Sequence, residues 1–407
     1  MEGSQADRGK RLLVLGAGAA QLGLLAAARR RGLYVIAVDR DPGAPGFGLA
    51  DRRAILSTED EPAIQRLAEA EAVDGLIAPG IDWPVAIAAR VAERLALPHP
   101  LDGATALLAT SKVHQRQRLE QAGVPQPRWR LAGSSAPEVG FPCVVKAPDR
   151  QGQRGLTLVR EPAELAAALR EAAAASRGGG SMLEELVDGP EVTVNAFSLA
   201  GAFHALTVTD RLTAEPPAFG VALAHVWPSE LGEEETGRTA DVAAAAVRAL
   251  GILDGPTYTQ LRIGRDGPKV MEVAARLGGG HDAELCEAAL GIDLNGLALR
   301  AALGEPIEPE SLIPTSRAGG ACTRFLVPPA GELLAVEGLE EARRVPGVRA
   351  LHVYRRPGHR FREFRIGPDR AGAVLAVGDS RQDALERAAA AADSIRFLTG
   401  HAEAVPT

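Results

Sequence analysis

Between residues 11 and 100 short apolar runs alternate with Ala- and Leu-rich segments of helical period. RLLVLGAG, YVIAVD and GLIAP predict buried strands, and the segments from about Gln21 to Arg31, after Thr58, and from Trp83 to Leu95 predict helices. Strands separated by helices imply a parallel sheet with helices on its faces. Thr58 with Glu61 three residues on has the pattern of a capping box. Asp82 before Trp83-Pro84 has that of a helix N-cap.

Further along, residues 103–122 predict two short helices with Thr110-Ser111 as the cap between them, and Gly123 to Pro127 predicts a connector. FPCVVKAPDRQGQRGLTLV predicts two strands around a glycine-bracketed loop, followed by a helix from Glu161 to Ala175. Residues 201–232, with His204, Arg211, Phe219, His225, Trp227 and the prolines Pro216, Pro217 and Pro228, lack a clear period and predict a long irregular loop. A helix from about Glu233 to Leu250 precedes GPTYTQLRIGRDGPKVMEVAARLGGGH, the most regular stretch of the chain. There two strands, Tyr258 to Ile263 and Lys269 to Val273, flank the turn residues Gly264 to Pro268. Pairing Ile263 with Lys269 sets Gln260 opposite Glu272, and opposed residues share a face about 5 Å apart at Cβ. One or two helices over Leu285 to Leu303 follow. The tail adds strands in ACTRFLVPPAGEL, VRALHVYRRPGH and AVLAVG and a closing helix from Ser380 to Leu398.

Composition narrows the class. The 407 residues are 46% hydrophobic and 24% charged, which suits two or three soluble globular domains. A net charge of −7 argues against nucleic acid held on a basic face. No apolar run reaches the roughly 18–20 residues of a membrane span. The polar start MEGSQADRGKR carries no secretory pattern, so a cytoplasmic protein is expected. Cys143, Cys286 and Cys322 lie far apart, without metal-ligand or disulfide spacing, and are expected to be buried small apolar residues.

Several residues have the right type for chemistry. Glu272 and Gln260 converge as hard oxygen donors of the kind Mg²⁺ accepts, with Arg276 and Gly278 to Gly280 close behind; the alternative is a surface hairpin with ordinary polar positions. Lys146 ends an apolar strand before the loop Gly152 to Gly155, a combination that holds phosphates by point charge and backbone amides, or else an edge-strand lysine beside a hairpin loop. Gly16-Ala17-Gly18 with Asp39 after the second strand suggests dinucleotide binding. The third glycine is displaced, since position 21 is Gln and Gly23 comes late, so a packing turn is the expected use.

Taken in order, the strand lysine, glycine loop, acidic turn, Gln/Glu hairpin, arginine and glycine run resemble the ATP-grasp superfamily, specifically its carboxylate–amine ligases and the L-amino-acid ligase branch. The resemblance implies an α/β and α+β multidomain chain: a Rossmann-like pre-ATP-grasp domain over residues 1–108, an ATP-grasp domain over 109–310 with a mobile lid lobe at about 128–190, and a C-terminal α+β domain over 311–407. It implies ATP-phosphate contacts at Lys112 and Lys146 and a phosphate loop from Gly152 to Gly155. It implies an adenine hinge at Glu184, Glu185 and Val187, and a ribose-binding acid at Glu191. Gln260 and Glu272 match the metal positions for Mg²⁺ or Mn²⁺, and Arg276 the arginine beside the γ-phosphate. Read from the residues alone, His281 with Asp282 beside it is of the type to bind or deprotonate the amine, the alternative being a hydrogen-bonded loop histidine after the glycine run. The family more often has Glu at position 260, and many members have a metal-binding Asn where this chain has Ala274.

The implied reaction phosphorylates a carboxylate with ATP and lets an amine displace phosphate from the acyl phosphate, releasing ADP and phosphate. Amino-acid-like substrates and a homodimer are expected on the same ground. The alternatives are an enzyme that activates bicarbonate to a carboxy- or carbamoyl-phosphate, a nucleotide-binding ATP-grasp scaffold without turnover, and, from the Gly16 turn, an NAD-dependent oxidoreductase.

Overall fold

The computed structural model describes residues 9–133 and 138–400. Most of the polar N-terminal stretch read above for a missing secretory signal therefore lies outside the described residues. Among the described residues no helix is long and apolar enough to cross a membrane. The chain divides into two compact units. The first gathers residues 1–126, 192–208 and 231–317; the second gathers 127–191, 209–230 and 318–407.

In the first unit the alternation of strand and helix yields the parallel sheet it predicts. Its four strands stand in the order Arg52–Ile55, Tyr34–Asp39, Arg11–Leu15, Gly75–Ile77. The central strands are buried on both faces, which is why they read as continuous apolar runs. Helices Leu22–Arg30, Glu61–Ala70 and Trp83–Arg94 accompany them. The second helix is capped by Asp60, whose carboxylate accepts from the Ala63 amide at 3.1 Å, and not by Thr58. A turn in which the Asp60 amide donates to the Ser57 carbonyl takes up Thr58 and Glu59 and moves the start two residues on.

Glu61, in the first turn of that helix, holds Arg90 and Arg94 of the next. Hydrogen bonding from Arg90, against a smaller effect of burial, keeps its carboxyl below the ordinary 4.5. A depressed acid contributes stability above its unfolded pKa and loses it as pH falls through the folded one. Glu61→Gln is therefore expected to lower the thermal midpoint at pH 7, with the gap to wild type closing in scans carried well below pH 4.5.

The same unit holds the hairpin Gly255–Gly264 and Gly267–Ala274, with the helix Glu233–Ala249 packed on it through Ala243, Ala246 and Val247 against Leu261, Val270 and Val273. Helices Asp282–Leu290 and Leu294–Ala302 are separated at Gly291, which is left-handed at φ 70°.

The second unit contains a four-stranded antiparallel sheet in the order Trp129–Leu131, Met182–Glu185, Cys143–Lys146, Leu156–Val159. Helix Pro162–Ala175 covers it through Ala168 and Ala172. A further antiparallel set joins Ala222–Trp227, Gly320–Leu326, Gly372–Gly378 and Val348–Val353, and helix Arg381–Asp393 packs on it.

Two expectations fail here. Residues 201–232 are no irregular loop: Ala202–Thr213 and Ala222–Trp227 are strands, paired from Asp210 with Val226 to Thr213 with Ala222. The prolines are confined to the connection and to the position after the second strand, where no ladder donor is lost. The closing helix ends at Asp393, and Arg396–Gly400 forms a strand on Gly331–Glu337, because Phe397 and Leu398 pair with Val336 and Ala335 in a ladder and Phe397 packs against the Phe361 cluster. All three cysteines are buried and unpaired, and burial pushes the Cys286 and Cys322 thiols up to about 12.

Candidate active site

In the first unit the hairpin is tighter than its sequence suggests. The turn is only Arg265-Asp266, with Gly264 opposite Gly267 at φ 98°, so Ile263 meets Pro268 and not Lys269. The ladder then shifts between Gln260 and Leu261, leaving Met271 without a direct partner, and Gln260 faces Glu272 after all. A bulge thus restores the pairing that the anchor, taken one residue off, had predicted.

The helix Lys112–Gln121 covers this bulged strand. Arg116, only 2% exposed, donates to the carbonyls of Val270 (2.8 Å) and Met271 (2.6 Å). Gln115 brackets Val273, giving a hydrogen bond to its carbonyl at 2.7 Å and accepting one from its amide at 3.0 Å. An edge strand whose backbone groups would otherwise be open is closed by two side chains. The same bolts bring Lys112, first residue of the helix, onto the Glu272 carboxylate as an ion pair. A cation at a helix N-terminus is opposed by the helix dipole, so Glu272 offsets an otherwise unfavourable placement. Gln115 and Arg116 were missed as positioning residues because their partners are backbone groups more than 150 positions away.

Arg276 pairs with Asp82 at 2.6 Å. Asp82 does precede the helix Trp83–Arg94, but its side chain makes no capping bond; the carboxylate serves Arg276 instead. Burial pushes the Asp82 carboxyl up, Arg276 pulls it down, and the nearby Glu272 charge pushes it up again. Asp82, Arg276, Glu272 and Lys112 are thus one electrostatic cluster, with Gln260 opposite Glu272. Ala274 pairs with Tyr258 and is 2% exposed, so that position offers no side-chain donor.

The glycines after Arg276 answer to their protein neighbours. A Cβ on Gly278 would stand 2.2 Å from the Asp282 carboxylate, and one on Gly279 would stand 3.0 Å from the Gly80 carbonyl. The Asp282 side chain crowds Gly278 and the Gly80 backbone crowds Gly279. His281 follows at φ 59°, with Nδ1 2.8 Å from Glu284 Oε1.

The Gly16 turn is packed from within the first unit. The Gln21 side chain fills it, 2.8 Å from where a Gly16 Cβ would be, and donates to the Pro79 carbonyl at 2.6 Å. Asp39 accepts from the Ala17 amide at 3.0 Å, bracing the turn from below. The packing use of this turn is the one observed.

In the second unit Lys146 and Glu184, on paired neighbouring strands, form an ion pair of 2.7 Å with both side chains largely buried. Glu185 holds Arg128 at 2.6 Å, and Val187 is buried. Glu191 is paired with Arg211, which also donates to the Gly220 carbonyl at 3.0 Å. Arg211 was read only as a member of the supposed loop 201–232. The loop after Lys146 carries left-handed backbone at Gly152, Gln153 and Gly155. Its Gly152 carbonyl accepts from the Gly367 amide at 3.2 Å.

Comparison with known proteins agrees with this arrangement. Residues 139–284 match the family model of the ATP-grasp domain, and residues 324–400 that of L-amino acid ligase C-terminal domain 2. A formate-dependent phosphoribosylglycinamide formyltransferase of Burkholderia pseudomallei is 30% identical over 407 residues, covering 95% of each chain. The crystal structure of L-amino acid ligase from Bacillus licheniformis superposes with a TM-score of 0.81 at 25% identity, over 97% of this chain and 100% of that one. Phosphoribosylglycinamide synthetase from Anaerococcus prevotii shares the fold, with a TM-score of 0.77 at 18% identity over 96% and 100% of the chains. Full-length identity at this level, the two domain models and the fold agree that the chain belongs to the ATP-grasp superfamily, among its ATP-dependent carboxylate–amine ligases.

Proposed function

We propose that this chain joins an amino-acid-like carboxylate to an amine through an acyl phosphate, releasing ADP and phosphate. The observation that carries the reading is the bulged hairpin, which sets Gln260 against Glu272 and has Lys112 held on it by Gln115 and Arg116. A free carboxylate is a poor electrophile, because its leaving group would be oxide; phosphorylation replaces oxide with phosphate. The residues' task in that step is to position and to neutralise spreading negative charge. Lys112, Lys146 and Arg276 are the cations assigned to it, and Glu184, Glu272 and Asp82 hold them in place. The Gly152–Gly155 loop contributes backbone amides, Glu185 and Val187 the hinge for the base, and Glu191 the acid for the ribose.

Gln260 and Glu272 fit Mg²⁺ or Mn²⁺ by donor type, two hard oxygens opposed on one face. When bound, such an ion offsets charge on the phosphate oxygens. The lobe of about residues 128–190 acts as a lid in this reading, since acyl phosphates hydrolyse unless water is kept out. A cytoplasmic homodimer belongs to the same proposal, and light scattering checks it by a mass twice that of the chain.

Incubation with ATP, Mg²⁺ and pairs drawn from a panel of amino acids should release ADP and phosphate with formation of an amide. Release of AMP and pyrophosphate overturns the mechanism. ADP release that follows bicarbonate and no other acid assigns the chain to the bicarbonate-activating class instead.

A further inference from the structure

We infer that Glu284 is a positioning residue that sets the tautomer of His281 for the amine half of the ligation. The inference rests on the ligase reading above, and it concerns a residue that neither the motif pattern nor the family resemblance singled out.

Three observations meet at this carboxylate. His281 is held in left-handed backbone at φ 59°, a conformation that costs a residue with a Cβ roughly 1–2 kcal/mol. It occupies the N-cap of the helix Asp282–Leu290 without making a side-chain cap bond, so capping does not account for the conformation. The ring is 4% exposed as a residue, and its Nδ1 lies 2.8 Å from Glu284 Oε1. Finally, the Glu284 carboxylate in this placement reaches over Gly23: a Cβ there would come within 2.1 Å of Oε1, so any larger residue would push it away from His281. Gly23 is the second residue of the helix Leu22–Arg30, where glycine costs about 1 kcal/mol relative to alanine. A strained histidine and a helix-weakening glycine, more than 250 positions apart, are both reconciled by one carboxylate. The neighbouring acid does not share the task, because Asp282 accepts from the Gly280 amide at 3.0 Å.

The chemistry follows from the donor inventory. An ionised carboxylate only accepts, so the Nδ1 facing it carries a proton, and the neutral ring assigned here keeps its lone pair on Nε2. In the second half of the reaction the amine nitrogen attacks the acyl carbon. The C–N bond forms, the C–O bond to phosphate breaks with its electron pair going to phosphate, and the proton lost by nitrogen passes to His281 Nε2. The imidazolium so formed lies against the Glu284 charge, which stabilises it. Gln at 284 keeps an acceptor oxygen but removes that charge and lets the ring take either tautomer.

Two measurements test this. With an amino-acid nucleophile, Glu284→Gln is expected to lower the amide-forming kcat 10- to 100-fold with the KM for ATP within twofold. With hydroxylamine, which is uncharged at neutral pH, ADP release should stay within twofold of wild type, because phosphoryl transfer does not use His281. Parallel loss of both halves shows a structural role and overturns the inference, as does an unchanged amide-forming rate. Independently, nitrogen-resolved NMR of labelled histidine, with His281→Gln to assign the signal, should show the Nδ1–H form in wild type and a mixture in Glu284→Gln. An Nε2–H form in wild type overturns the inference without reference to activity. If wild type forms no amide from any pair, the ligase reading fails and the NMR result alone decides the Glu284–His281 pairing.

Discussion

Lys146→Met is expected to weaken the fold by about 3–5 kcal/mol in urea denaturation and to cut ATP-dependent turnover by about 10²–10³. The first effect comes from Glu184. It is 4% exposed, its charge is met by Lys146 at 2.7 Å, and removing the lysine takes that counter-charge from a carboxylate in a nearly dry site. The second follows from the proposed function, in which Lys146 is a cation on the transferring phosphoryl group. The two effects separate in the double variant Lys146→Met, Glu184→Leu. Replacing a buried ion pair with apolar residues of similar size is often neutral for stability, so the double variant should recover most of its unfolding midpoint. Turnover should stay low. A double variant that turns over like wild type would mean that the pair only holds two strands together.

Glu272→Ala should show the opposite balance. Its side chain is 27% exposed and its lysine partner 13%, and ion pairs that water reaches contribute about 0–1 kcal/mol. Stability should therefore change by less than about 1 kcal/mol, while ADP release falls by about 10²–10³. The physical reason is that Gln260 is already neutral and Ala274 offers no donor, so in the proposed function the cation site depends on the Glu272 carboxylate. Glu272→Gln should retain more activity than Glu272→Ala and need a higher Mg²⁺ concentration to reach half its maximal rate. Equal rates in wild type and Glu272→Ala across a Mg²⁺ titration would remove the hairpin from the catalytic reading.

Several of the candidate residues sit on local patterns that a linear reading can see. The strand ending at Lys146 and the glycine loop follow from alternation and turn residues within about ten positions, whereas Gln260 faces Glu272 only because the bulge at Met271 offsets an anchor taken one residue off. The irregular reading of 201–232 failed for a related reason. His204, Arg211 and His225 look out of place in a strand, yet Arg211 is satisfied by Glu191 and by the Gly220 carbonyl, and His225 packs edge-on to Phe325. Polar residues inside a sheet are tolerated when partners wait across it, and a linear reading does not see the partners.

Asp82 shows the same limit from the other side. Its position before Trp83-Pro84 correctly marked a helix start, and the cap it seemed to offer was not made. The choice between capping a local amide and pairing with Arg276, 194 positions on, depends on which group is nearer and drier in the folded chain. Charge-assisted hydrogen bonds in a buried setting outweigh a neutral cap, but only tertiary structure brings the guanidinium there.

What the amino-acid sequence determined by itself was the class of architecture, most of the order of its elements, and the residue types proposed to meet phosphate and metal, since period, turn chemistry and residue type are local properties. Tertiary structure decided which of those side chains face each other and what holds them there. The Met271 bulge, Gln115 and Arg116 on the edge strand, Asp82 on Arg276 and Glu284 on His281 all join residues through geometry that no spacing along the chain encodes.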